Sequence, residues 1–65
     1  MKLWIGRDTN NDLYLFKGKP NLEEWGNWKG WKGTRYEYFY LGRDFFPEVT
    51  FDNSPQEVEL RLIEK

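Results

Sequence analysis

KLWIGRDTNNDLYLFK, residues 2–17, decides the fold. Lys2 to Arg7 and Leu13 to Lys17 are rich in β-branched and aromatic residues, and the turn formers Asp8-Thr9-Asn10-Asn11-Asp12 lie between them, so the stretch reads as a β-hairpin. Asn11 is the candidate for the left-handed position, because a short amide tolerates positive φ better than any residue except glycine. With Asn10 and Asn11 as a two-residue tip, Ile5 is expected to face Phe16. Leu3, Ile5, Tyr14 and Phe16 then share one face, and Trp4, Leu13 and Leu15 the other.

Outward from the hairpin, the chain has no alanine and six glycines, which leaves a long amphipathic helix nowhere to form. A strand is expected from Thr34 to Leu41, with Tyr36, Tyr38 and Tyr40 on one side and Glu37, Phe39 and Leu41 on the other. Rings on both sides predict a central or doubly covered strand. Gly42-Arg43-Asp44 ends it, Asp44-Phe45-Phe46-Pro47 suits a short helical turn, and Val49 to Phe51 a short extended piece. From Glu57 to Glu64 the alternation of Val58, Leu60 and Leu62 with charged residues reads as a last strand. Ser54-Pro55-Gln56-Glu57 matches a helix capping box and keeps a carboxy-terminal helix open as the competitor. The expected architecture is mainly β: one domain over residues 1–65, a single small antiparallel sheet of about four strands, an aromatic-rich loop, and at most a short helical turn.

Sixty-five residues form one domain with a thin stability margin. Four Trp, four Tyr and five Phe supply the bulk that staples would otherwise provide. Cysteine is absent, which excludes disulfides and thiolate chemistry, and histidine is absent, which excludes imidazole bases and ligands. The start MKLWIGRD carries no secretory apolar run and no segment reaches the ~20 apolar residues of a membrane-spanning helix, so a cytoplasmic location without membrane partners is expected. The net charge of −1 hides an asymmetry. Residues 1–35 hold seven Lys or Arg against four Asp or Glu, and residues 36–65 hold three against seven. Ordinary solvated surface explains that dipole more simply than partner steering does.

MKLWIGRDTNNDLYLFKGKP at one end and FPEVTFDNSPQEVELRLIEK at the other resemble a group of small proteins from Bacteroidales genomes and their mobile elements. The resemblance covers roughly the first and last 20 residues and leaves 21–44 without a counterpart. Members commonly carry glycine where this chain has Asn11, in agreement with positive φ there. The resemblance implies a bacterial origin, a common framework around a variable middle, and no activity or catalytic residue.

Candidate chemistry is sparse. Ser54, the only serine, sits in a turn with no identifiable base. The carboxylates Glu23, Glu24, Glu37, Asp44 and Glu48 read as solvated surface rather than a glycosidase pair. The oxygen side chains of residues 8–12 open like a calcium loop, but Leu13 and Lys19 stand where that loop needs glycine and glutamate. No enzyme, metal or cofactor is therefore expected. EEWGNWKGWKGTRY, residues 23–36, is the unusual segment: Trp25, Trp28 and Trp31 recur every third residue, with Lys29, Lys32 and Arg35 one step behind. Polyproline-II geometry would align the indoles along one edge and the cations along the next. Two roles follow. The indoles form a lid over the sheet, or some of them, with Lys29, Lys32, Arg35 and Tyr36, form a contact surface. The functional expectation is a non-enzymatic binding protein, contacting a protein partner through Trp28, Lys29, Trp31, Lys32, Arg35 and Tyr36, with self-association as a further expectation. Single-stranded nucleic acid or a nucleotide on the same ribbon is the alternative.

Overall fold

The computed structural model describes residues 2–26, 28–33 and 38–63, the side chains of Trp25 and Trp28 excepted. Six strands follow in chain order: β1 Lys2–Arg7, β2 Leu13–Phe16, β3 Asn21–Trp25, β4 Trp28–Lys32, β5 Tyr38–Gly42 and β6 Gln56–Glu59. No helix occurs among the described residues. Four strands form one antiparallel sheet in the order β5-β2-β1-β6, and β3 and β4 pair separately as a hairpin.

The β1–β2 turn decides the faces of the sheet. Asn11 has φ 76°, its N–H donates to the Asp8 carbonyl at 3.0 Å, and the Asp8 N–H donates to the Asp12 carbonyl at 2.8 Å. The tip is thus three residues, Thr9 to Asn11, the last left-handed. Three residues instead of two shift the register by one, so Ile5 faces Leu15 and Trp4 faces Phe16. The expected Ile5–Phe16 pairing is corrected accordingly. A one-residue shift exchanges the faces of a whole strand: Leu3, Ile5, Leu13 and Leu15 lie on one, Trp4, Tyr14 and Phe16 on the other.

Each face has its own cover. On the aliphatic face Ile5 and Leu13 pack with Val49 from the long β5–β6 connection, with Leu41 and Val58 against them. On the aromatic face lies the β3–β4 hairpin. A Cβ at position 6 would stand 2.9 Å from Trp31 Cδ1, and one at position 33 would stand 2.9 Å from Phe16 Cδ1, so Gly6 and Gly33 allow the hairpin to approach that closely.

The middle ribbon is therefore a β-hairpin and not polyproline II. Pairing Leu22 with Trp31 and Glu24 with Lys29 satisfies main-chain groups that polyproline II leaves to water, and Gly26 supplies the turn at φ 57°. Strand alternation puts Lys29 and Trp31 on one side and Gly30 and Lys32 on the other, which dissolves the expected separation of indole and cation edges.

Three further expectations change. The strand drawn from Thr34 to Leu41 appears as Tyr38–Gly42, with 34–37 outside the described residues, and it is an edge strand, not a central one. β1 pairs with both β2 and β6, so the outer side of β2 is the position left to β5, whose rings stay in water. Residues 44–47 make no helical turn: Phe46 is left-handed at φ 51° and its carbonyl accepts the Val49 N–H. Val49 to Phe51 is not a strand. The last strand ends at Glu59, paired with Lys2, short of the expected Glu64, and Leu62 is 94% exposed. Between strand and capped helix at Ser54, the strand prevails, and the Ser54–Pro55 peptide is cis.

Candidate contact surface

Arg7 organises the described surface. It continues the Leu3-Ile5 alternation onto the aliphatic face and is only 6% exposed. Its guanidinium donates to five main-chain carbonyls: Nε to Val49 at 2.9 Å, Nη1 to Asn11 at 2.8 Å and Arg43 at 3.3 Å, and Nη2 to Phe45 at 2.8 Å and Phe46 at 3.0 Å. A planar fork with five donors suits this cage, whereas an ammonium has three. The cage fixes the turn that follows β5. Its own main-chain N–H meets Ser54 Oγ at 2.9 Å, which ties the far end of the same connection to β1.

Phe45 and Phe46, on that turn, expose 61% and 52% of their surface. A left-handed backbone is costly for a bulky residue, on the order of 1–3 kcal/mol, and persists only when its surroundings over-determine it. Here Arg7 and the Val49 N–H both hold the Phe46 carbonyl. On β5, Tyr38, Phe39 and Tyr40 expose 49%, 65% and 59%. Tyr40 lies 5.3 Å from the Tyr14 ring centroid, and Tyr38 lies 5.9 Å from the same ring. Five exposed rings thus lie between residues 38 and 46.

Two acids border this region. Asp12 Oδ1 accepts the Tyr40 hydroxyl at 2.9 Å and Arg43 Nε at 3.1 Å, and the Arg43 guanidinium, helped by the Tyr40 hydroxyl, holds the Asp12 carboxyl below its ordinary value. Asp8 is buried, and burial pushes its carboxyl up, opposed by the Trp31 N–H and reinforced by Asp12. Between the hairpin tip and the β5–β6 connection lies an open cleft of about 420 Å³, lined by the polar Arg7, Asp8 and Arg43 and the apolar Pro47, Val49 and Phe51 among others. Arg7 in that cleft is held by carbonyls and Arg43 by Asp12, so neither guanidinium stands ready as a dedicated anion site. No group of three acids able to hold a metal occurs among the described residues.

The residues expected to bind are distributed as follows. Trp31 packs into the fold: its indole N–H donates to the Arg7 carbonyl at 3.2 Å, its ring lies 5.9 Å from Phe51, and its main-chain N–H meets Asp8 Oδ1 at 3.0 Å. Thr9 Oγ1 accepts the Lys29 N–H at 3.0 Å and donates to the Lys29 carbonyl at 2.9 Å. The edge of β4 is thereby stitched to the β1–β2 tip, and for Trp31 the lid reading holds. Lys29 and Lys32 are exposed and form ion pairs with Glu24 at 3.6 Å and Glu23 at 3.4 Å. Trp28 contributes its backbone to β4, and Arg35 and Tyr36 lie outside the described residues. Sequence reading gave Arg7 no role, took Asp8 and Thr9 only as turn formers, and expected the Phe45-Phe46 turn to pack on the sheet, where the structure leaves both rings more than half exposed. One signal was available: Arg7 occupies an apolar position in the alternation of β1. No family model, curated protein or solved structure matches the chain. Fold and surface together define a small, mainly β scaffold with a cluster of exposed rings between residues 38 and 46.

Proposed function

We propose that this chain is a non-enzymatic protein-binding module that presents Phe45 and Phe46 to its partner. The observation that carries the reading is a strained turn whose half-exposed ring sits on a backbone clamped by a buried arginine. Aromatic residues on a rigid support lose little entropy on binding and are enriched among residues that dominate interfaces. The basic hairpin lends less support to nucleic acid, because Lys29 and Lys32 each face a glutamate of β3. The resemblance of the two chain ends to mobile-element proteins fits an accessory that acts by occupying another protein.

The test is cross-linking in the bacterial cell followed by purification, comparing the natural chain with a Phe45→Ala, Phe46→Ala variant of unchanged far-ultraviolet spectrum. A discrete protein should be retained by the first and lost from the second. Equal retention by both refutes the proposed contact. Oligonucleotide binding that collapses between low and moderate salt, and falls with Lys29→Glu and Lys32→Glu, would put nucleic acid first.

A further inference from the structure

The outer edge of β5 is a second, separate surface, and the structure assigns it an occupant: we infer that β5 pairs antiparallel with β5 of a second copy, joining two four-stranded sheets into one of eight. Residues 38–42, Tyr-Phe-Tyr-Leu-Gly, carry no charge and no proline, and these are the devices by which edge strands are kept single. The opposite edge has them. β6 reads Gln-Glu-Val-Glu, with Glu57 3.9 Å from Lys2 and Glu59 paired with Arg61.

The argument for a second copy rests on charge and symmetry. A two-fold axis through Tyr40 sets Phe39 opposite Leu41 and Tyr38 opposite Gly42, with no charge facing any other. The same operation on β6 sets acid against acid, centred on Glu57 or on Val58 alike, and like charges directly opposite are destabilising. An isologous contact needs one self-complementary patch, and β5 has the required composition. Its three rings, each about half to two-thirds exposed out of roughly 200 Å², offer at most about 700 Å² across the pair. Main-chain pairing adds to that, and the sum stays in the weak class, below about 1,200 Å². The dimer is thus expected to exchange with monomer at roughly tens of micromolar. Its consequence is bivalence, since each dimer carries two Phe45–Phe46 turns.

Sedimentation velocity on the full chain from about 5 to 500 μM should show a monomer–dimer transition. Phe39→Lys should weaken association at least tenfold, and Glu57→Asp, which keeps the charge of the other edge, should leave it within twofold. A measurement free of mutants is amide exchange of the natural chain at the two concentration limits, in which protection should rise in β5 and stay constant in β6. A monomer throughout, a dimer indifferent to Phe39→Lys, or protection rising in β6 overturns the inference. The outcome is separable from the proposed function: Phe39→Lys should still retain whatever protein Phe45 and Phe46 bind, and loss of retention only with the latter pair leaves self-pairing untouched.

Discussion

The two edges of the same sheet follow opposite rules. β6 alternates Glu57 and Glu59 with one tucked valine, and its acids engage Lys2 and Arg61. β5 presents three half-exposed rings and no charge. Charged pairs of this exposed kind stabilise a fold by little, about 0–1 kcal/mol. Their effect is to make edge-to-edge approach unfavourable. On β5, Tyr38 and Tyr40 pack part of their surface on Tyr14, and the uncharged remainder leaves the edge receptive. The difference teaches that an edge strand's residues are better understood by what they do to an approaching chain than by what they add to stability.

The largest test of that contrast strikes the support of the β5 side. Arg7→Ala removes every guanidinium donor from the carbonyls of residues 11, 43, 45, 46 and 49, and should cost about 3 kcal/mol or more of unfolding free energy in urea. Arg7→Lys keeps the charge with fewer donors and should fall between. Equal stability of Arg7→Ala and the natural chain would show that the turn bearing Phe45 and Phe46 stands without its clamp.

A smaller effect concerns the ion pair beside β5. Because Arg43 and Tyr40 hold the Asp12 carboxyl below 3.8, its contribution is full above that pH and is lost as pH falls through the folded value. Asp8 runs the other way. Burial raises its pKa above 3.8, so it favours the fold most at acid pH and its contribution declines as pH rises through the raised value. Thermal unfolding from pH 2 to 7 should show less acid loss in Asp12→Asn and more acid loss in Asp8→Asn than in the natural chain. Identical profiles would contradict both assignments.

The smallest expected change in stability comes from exchanging the character of β6. Glu57→Tyr should alter unfolding by no more than about 0.5 kcal/mol, as surface substitutions do. It should nonetheless raise concentration-dependent association through that edge, read by sedimentation. A stability change above that range with unchanged association would reverse the distinction drawn between the edges.

Much of the fold was legible in the residues. Alternation along 2–7 and 13–16, the turn cluster between them, and the left-handed Asn11 all lead to the observed hairpin. The register was not, because Asp8-Thr9-Asn10-Asn11-Asp12 suits a tip of two residues or of three, and the choice rests on which pair closes the ladder. The Trp-rich middle misled through its three-residue spacing, since a strand is specified by a period of two and by partners across the ladder. Phe39 and Tyr40 read as buried by their type, yet burial depends on which strand lies beside them. Of the candidate surface, sequence supplied the expectation that rings make the contact. Phe45 and Phe46 were missed because neither a caged carbonyl nor a positive φ at phenylalanine has a sequence signature.

Composition by itself determined that this chain is mainly β and carries no thiol or imidazole, since those are properties of residue type and local spacing. Tertiary structure alone decided which rings were covered and which were left to solvent, and that the Arg7 guanidinium would be satisfied by main-chain carbonyls. Those outcomes depend on pairings between residues some 40 apart in the chain, where burial and hydrogen bonding are settled by neighbours in space.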